Sequence, residues 1–491
     1  MSRTITVQIP GTERRHTLHA GIHINGEWID LADTFAVVDP ATGDEFAAVS
    51  DGRARHAVDA LDAAHAAQAS WADIAPRVRA DILHTVHQLL TDRTEALIDV
   101  MVLEAGKPRT EAAGEVSLTL DFVKWLAEQA AHVHGSYARA SRGDFRIITT
   151  TRPVGPALLV SPWNFPVLIP VRKAAAALAA GCTAIMKPAP QTPLTAALFM
   201  QTLVDAGLPA GVMNLVHTTR PAELSEHLMQ DQRLRKVSFT GSVAVGSLML
   251  RQSARNITSV QLELGGNGPF IVLDDADLDN AVEQAIAAKF RNAGQACVAA
   301  NRIILHQAIA DQFTERFVEQ TRNLVVGPGY RNGVDVGPMI SDSQRDATAE
   351  TVESIVGEKA ELLVGGKPIG GDGYFFEPTV LRMREKAPEF SCQELFAPVA
   401  PLFTVNSVDE AIEFANDTVY GLAGYLFTRD LSRAIGISER LDVGMVGVNR
   451  GIMADPAAPF GGVKTSGLGR EGGHSALEEF LETKYVALTV H

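Results

Sequence analysis

An α/β fold built on parallel sheets is what this chain predicts, and three features carry that expectation. Short apolar strands alternate with helical stretches from Pro156 to about 264, the pattern of right-handed crossovers in a dinucleotide-binding arrangement. A second alternating region runs from 278 to about 441 and predicts another α/β domain. The length of 491 residues exceeds the ~250–300 that one core organises, so two or three domains follow.

Two hairpins open the predicted order. Strands at 22–24 and 27–29 flank Asn25-Gly26, a pair suited to a type I′ turn. Strands at 35–38 and 45–49 flank Asp39-Pro40-Ala41-Thr42-Gly43-Asp44. Apolar residues at three-to-four spacing predict long helices over 54–71, 78–97 and 112–131. The parallel core predicts strands at 157–160, 184–186, 212–216, 236–239 and 260–264, separated by helices at 167–180, 194–206, 223–229 and 243–254. Polar, β-prone 145–151 and the C-terminal 484–490 predict strands outside either core.

Composition narrows the function classes. A net charge of −15 without a clustered basic stripe argues against nucleic acid. No run approaches ~18 apolar residues, and the first residues lack the apolar core of a signal peptide, so no membrane partner is expected. Three cysteines without a C-x-x-C pair exclude a disulfide framework and a zinc site of the usual spacing. Fourteen histidines form no ligand cluster, so no metal is expected. These observations predict a soluble enzyme of a reducing, cytoplasmic compartment.

Two segments carry the chemistry. In Phe290-Arg291-Asn292-Ala293-Gly294-Gln295-Ala296-Cys297 a lone thiol stands beside small and amide-bearing residues, just after an amphipathic run. A thiol becomes a strong nucleophile as thiolate, and nearby N–H dipoles or cations lower its pKa. In Val260-Gln261-Leu262-Glu263-Leu264-Gly265-Gly266-Asn267 one carboxylate sits in an apolar strand, costly to bury unless it has work to do. A cysteine nucleophile with a desolvated carboxylate base points to acyl chemistry through a thioester. Cys182 and Cys392 read as structural, Cys182 packed and Cys392 in a polar loop, and Ala299 leaves Cys297 without a nearby disulfide partner.

Three further segments suit a cofactor and an oxyanion. Phe239-Thr240-Gly241-Ser242 runs from a strand into a helix start whose N–H groups suit a pyrophosphate, or else Ser242 is simply a helix cap. Lys187 ends an apolar strand where parallel sheets bind ligands, or it is a solvated strand-end lysine. Asn164, in the turn Ser161-Pro162-Trp163-Asn164-Phe165-Pro166, offers an amide to a developing oxyanion or satisfies its own turn.

These segments together resemble the aldehyde dehydrogenase superfamily, in consistent order over about 22–486. Glu394-Leu395-Phe396 and Pro459-Phe460-Gly461-Gly462 extend the likeness. In wording the chain is similar to the succinate-semialdehyde branch through Arg172-Lys173, Lys289-Phe290-Arg291-Asn292 and Gly469-Arg470-Glu471-Gly472. The resemblance implies a Rossmann-like cofactor domain over 1–128 and 149–259, a catalytic domain over 260–473, and oligomerisation strands over 129–148 and 474–491. It implies Cys297 as nucleophile, Glu263 as general base, Asn164 with the Cys297 N–H as oxyanion hole, and Lys173 and Glu482 in proton relay. Trp163, Lys187, Pro190, Gly241, Ser242, Glu394 and Phe396 fall at cofactor-binding positions. Phe165, Arg172, Arg291, Ala454 and Phe460 fall at substrate positions.

The resemblance also implies an NAD(P)-dependent oxidation of an aldehyde to an acid, with succinate semialdehyde first, by a homodimer or homotetramer. Pro190 stands where NAD-preferring relatives carry a ribose-chelating glutamate, so NADP is expected to be preferred and NAD usable. Ala454 stands where the branch has a carboxylate-binding serine, Arg450 is an added arginine, and Ala397 follows Phe396 where a glycine is usual. The first two departures keep aromatic or other semialdehydes open as substrates. A cofactor-independent thiol hydrolase or esterase is the reading of another class; it leaves the Lys187 and Ser242 segments unexplained.

Overall fold

The computed structural model describes residues 3–386 and 393–490, and Cys392 lies outside them. Two large sheets organise the chain. In the first, the strand order is Gly467–Leu468, Ser259–Leu264, Lys236–Gly241, Ala157–Val160, Ala184–Lys187, Met213–Leu215, Ile22–Ile24 and Glu27–Ile29. The five from Ser259–Leu264 to Met213–Leu215 run parallel. Helices such as Leu168–Ala180, Pro193–Asp205 and Val243–Ser253 connect them. Ala157–Val160 and Ala184–Lys187 are buried throughout, as helix-covered parallel strands must be. The chain passes from Ala157–Val160 outward to one side and later returns beside it as Lys236–Gly241. That reversal makes a crevice at the carboxyl ends, where Ser161, Lys187 and Ser242 lie.

The second sheet holds Ala360–Val364, Thr379–Met383, Val399–Val405, Ala300–His306, Gly268–Val272, Ala423–Phe427 and Met445–Val448 in that order. All of its pairings are parallel except the first. Gly467–Leu468, which follows this sheet in sequence, returns to pair antiparallel with Ser259–Leu264. A third, antiparallel sheet places Arg146–Pro153 between Ser136–Arg139 and Leu481–Leu488. No helix among the described residues is long and apolar enough to cross a membrane.

Two sequence expectations need correction. The helix expected over 78–97 is two helices, Pro76–Asp92 and Thr94–Ala105, meeting at Arg93. The first is amphipathic, but the second is buried on every side from Leu97 to Ala105, so the chain turns to enter the core. Arg93 anchors the corner by donating to Thr202 Oγ1 at 2.7 Å and pairing with Asp205. A hairpin of Thr4–Gln8 and Arg15–His19 also precedes the first one expected. Its strands are largely polar, and Val7 and Leu18 are its fully buried apolar residues, so hydrophobic pattern marks them weakly. The Asn25-Gly26 turn has positive φ at both residues, 52° and 86°, as a type I′ turn requires.

Candidate active site

The thiol sits at the end of an unusual piece of backbone. Helix Leu278–Phe290 stops at Arg291, and Asn292, Ala293 and Gly294 follow with φ of 54°, 54° and 72°. Left-handed conformations cost non-glycine residues energy and persist where the surroundings over-determine them. Here the surroundings do so. The Asn292 N–H donates to Glu111 Oε2 at 2.8 Å, and its amide donates to the carbonyls of Asn164 and Gln295 at 3.2 and 3.0 Å. Gln295 donates back to Asn292 O at 3.1 Å and accepts the Ile340 N–H at 2.9 Å. A Cβ on Gly294 would lie 2.1 Å from Ala397 O, so glycine is required there on two counts.

Cys297 emerges from this turn into a cavity of about 410 Å³ that it shares with Glu263, Phe165, Arg172, Arg291 and Phe460, among others. Burial raises its pKa, Glu263 and Glu394 raise it further, and Arg172 and Arg291 only partly offset them. The resting group is therefore a thiol, opposite to the lowering expected from nearby dipoles and cations. Asn164 is buried close by, donating its amide to Gln295 O at 3.1 Å, and its Oδ1 has no partner among the described residues. Its carbonyl is fixed by Lys107 Nζ at 2.9 Å. One amide hydrogen remains for an oxyanion.

Glu263 lies in register with Thr240 on one side and Gly467 on the other. It is 2% exposed, and neither carboxyl oxygen has a partner among the described residues. Burial first, and then Glu471, raise its pKa, while Arg172, Lys173 and Arg470 pull it down. An orphaned buried carboxyl costs stability, which a structural role would not repay.

Arg172 and Lys173 both grip Glu471. Lys173 also donates to Ser238 Oγ at 2.9 Å, and Arg172 stacks 4.6 Å from the Phe460 ring and 5.4 Å from Phe122. Burial pushes Glu471 up, but the two cations outweigh it and hold its pKa below the ordinary value. Burial lowers the Lys173 pKa against the pull of Glu471. Glu482, expected beside Lys173, instead pairs with Arg152 at 3.0 Å and Arg235 at 3.3 Å in the third sheet. Sequence reading missed Glu471 in that place, although Arg470-Glu471-Gly472 stood among the matching motifs. Arg172 lines the cavity with its charge already matched, whereas Arg291 lines it 5.6 Å from the Phe165 ring, with no carboxylate pair among the described residues. Ala454 also lines it, but Arg450 is exposed and donates to Ile452 O at 2.6 Å.

The crevice at the carboxyl ends of the first sheet carries groups that suit a dinucleotide. Lys187 is buried and, among the described residues, donates only to the carbonyl of Pro188 at 3.0 Å, and burial pushes its pKa down to about 8. A buried ammonium so poorly matched calls for oxygen ligands such as ribose hydroxyls. Ser161 Oγ and Thr240 Oγ1 are likewise buried without partners among the described residues. Ser242 caps helix Val243–Ser253 by accepting the Val245 N–H at 3.4 Å, and a Cβ on Gly241 would strike the Phe239 ring at 2.6 Å. Pro190 borders a smaller cavity with Glu104, whose carboxyl is consumed by Leu194 N and Thr195 N and pushed up to about 8 by burial. Trp163 meets Phe396 edge-on at 5.7 Å, and Glu394 Oε1 accepts the Gly266 N–H at 3.0 Å.

Lys289, fully buried, completes the site from behind. It donates to Asn301 Oδ1 at 2.9 Å, and Asn301 donates to Gly266 O at 3.2 Å. Burial pushes its pKa down to about 7, with Glu394 opposing. Among the described residues no group of three or more His, Cys, Asp and Glu side chains is placed to hold a metal ion.

Known proteins share this architecture. The model of the aldehyde dehydrogenase family matches residues 28–486. A succinate-semialdehyde dehydrogenase of Paenarthrobacter nicotinovorans is 46% identical over 90% of this chain and 98% of its own length. A 3-sulfolactaldehyde dehydrogenase of Pseudomonas putida is 44% identical over 95% of this chain and 96% of its own. The crystal structure of an E. coli NADP-dependent enzyme superposes with a TM-score of 0.95 at 41% identity, covering 96% of this chain and 98% of that one. With its thiol and orphaned carboxyl on one cavity and this match along nearly its whole length, the chain belongs to the aldehyde dehydrogenase family.

Proposed function

We propose that this protein oxidises succinate semialdehyde to succinate with NADP, through a thioester on Cys297. The observation that carries the reading is that one cavity is lined by Cys297, by the carboxyl of Glu263, unpartnered among the described residues, and by the unmatched cation Arg291. The Cys297 thiol loses its proton to water in the cavity, its sulfur adds to the aldehyde carbon as the carbonyl π bond opens, and the oxyanion formed is held by the Asn164 amide and the Cys297 N–H. The dinucleotide, when bound, supplies the acceptor for the hydride lost by the substrate carbon. Glu263 as carboxylate then takes a proton from water, the resulting hydroxide adds to the thioester carbon, and the carbon–sulfur bond breaks to release the acid. Glu471 and Lys173 pair with each other and act electrostatically on Glu263, which supports them as the relay for that proton in place of Glu482.

Lys187, Ser242, Gly241, Trp163, Pro190, Phe396 and Glu394 are the residues proposed to hold the cofactor, on a domain of 1–128 and 149–259. The chemistry belongs to 260–473 and assembly to 129–148 and 474–491. The lack of a free carboxylate at Pro190 supports NADP over NAD, which stays usable. A nucleophilic thiol works only when reduced, so a reducing compartment such as the cytoplasm is its proposed setting. Arg291 favours an anionic tail, and the likeness to a 3-sulfolactaldehyde dehydrogenase supports a sulfonate-tailed aldehyde as the second reading. The apolar lining from Phe165, Leu168, Ile169, Val298 and Phe460 keeps aromatic aldehydes behind these two.

Reduced-nucleotide absorbance with each cofactor and a panel of carboxylate-tailed, sulfonate-tailed, aromatic and aliphatic aldehydes tests the reading. The highest kcat/KM is expected for succinate semialdehyde with NADP. Pro190→Glu should depress NADP use by returning a charge beside the ribose. Preference for an aliphatic aldehyde, or for NAD, would overturn the corresponding half.

A further inference from the structure

The cavity around Cys297 is lined by three cations, and two of them are already matched. Lys107 pairs with Glu115, and Arg172 pairs with Glu471. Arg291 has no carboxylate pair among the described residues, yet a carboxyl group stands close to it. Glu111, in the first turn of helix Arg109–Gln129, accepts the N–H of Asn292, the residue next to Arg291, through Oε2 at 2.8 Å. Its side chain lines the same cavity, and Oε1 has no hydrogen bond among the described residues.

We propose that Glu111 is a specificity-determining residue of this site, because its carboxyl stands beside Arg291 on the wall that receives an anionic tail. The inference rests on the reading that the substrate carries such a tail. In the neutral form Glu111 donates its O–H to the tail, and Arg291 adds its own charge. Once ionised, Glu111 competes for Arg291 and repels the tail.

Its surroundings place that change near neutrality. Burial pushes Glu111 up to about 7, with Glu115 adding to the rise and the Asn292 N–H, Lys107 and Arg291 opposing it. Lys107 faces it from the segment before its helix and Glu115 from one turn along it. Arg172 faces it from Leu168–Ala180, Arg291 from the turn, and Glu263 and Cys297 from across the cavity. Below the Glu111 pKa an anionic tail is gripped, and above it the grip weakens. Glu263 also titrates, but it acts at the aldehyde end of every substrate, and its effect cancels in a ratio of substrates.

The experiment measures kcat/KM for succinate semialdehyde and for butanal, an uncharged aldehyde of the same chain length. Wild type and Glu111→Gln are compared from about pH 6 to about pH 9, with saturating cofactor. The wild-type ratio should fall on the order of tenfold as pH rises through neutrality, the scale of one like charge a few ångströms away in a partly screened site. In E111Q the ratio should be flat and, at the alkaline end, on the order of tenfold above wild type. A wild-type ratio that is flat but well above one, or a wild-type slope kept in E111Q, overturns the role of Glu111. A wild-type ratio near one at every pH overturns the substrate reading instead. Should E111Q fail to turn over butanal, protection of Cys297 from alkylation by succinate gives the same pH comparison without catalysis, and the same two outcomes decide it.

Discussion

Gly266→Ala is a perturbation whose effect is readable from distances alone. A Cβ built on Gly266 lies 2.4 Å from the carbonyl oxygen of Cys297 and 3.2 Å from Leu422 Cβ, whereas ordinary contact begins at 3.4 Å. One of the two backbones must therefore yield by about 1 Å. Gly266 is held at its N–H by Glu394 and at its carbonyl by Asn301, itself held by Lys289, so the thiol loop is the partner that moves. Gly266 has no positive φ, so conformational strain does not enter. A displacement of about 1 Å in a reacting group costs on the order of a hundredfold in rate, or about 2.7 kcal/mol of transition-state stabilisation. The assay is kcat at saturating substrates, with circular dichroism to check folding and the alkylation rate of Cys297 as a second reading of thiol position. Gly265→Ala is the control: its methyl meets the end of the Glu394 side chain, which can swing aside, so cofactor KM should change more than kcat. A folded Gly266→Ala enzyme with kcat within about threefold of wild type would refute the reasoning.

Glu263→Gln should leave one rapid burst of reduced nucleotide and then slow turnover, because acylation survives and water activation does not. Since burial and Glu471 raise the Glu263 pKa, its base form appears only as pH climbs above the ordinary carboxylate range. Wild-type deacylation should therefore rise on the alkaline side, and steady turnover in Glu263→Gln with that same rise would remove Glu263 from the mechanism. For assembly, Tyr137, Tyr485 and Val490 are 67%, 55% and 61% exposed around the third sheet, a surface that predicts a dimer or a dimer of dimers. Light scattering that finds a monomer at working concentration would overturn this.

How much was legible in the sequence follows from how local each signal is. The strands at 157–160 and 184–186 and the helix 278–290 were readable because burial on both faces, or on one, stamps a run of consecutive residues. The corner at Arg93 was not, because each half reads as a helix and only the core decides that they diverge. Cys297, Glu263 and Asn164 stood out by chemistry against neighbours of another kind. That Cys297 and Glu263 share one cavity was visible only through resemblance. Glu471 was hidden because its partner Lys173 lies 298 residues away, and a charge between arginine and glycine looks like any surface charge. Glu482 stood at a relay position only by resemblance, and the register of Leu481–Leu488 against Arg146–Pro153 brings it to Arg152. Arg172 read as a substrate ligand because sequence shows a charge and not its counter-charge.

The short pairing of Gly467–Leu468 onto Ser259–Leu264 has a mechanical consequence. Chain that has just left the second sheet is stitched into the first, along the strand that carries Glu263. A few residues on, Glu471 is clamped by two cations of the Leu168–Ala180 helix. For the sheets to swing apart, that seam would have to unzip and a buried carboxylate would lose both counter-ions, a loss of several kcal/mol for each unpaired charge. The molecule is thus built as a bored block and not as a jaw. Aldehydes are sorted by the calibre and wall charge of a fixed passage, and a better fit is reached by recutting that passage, not by loosening a hinge.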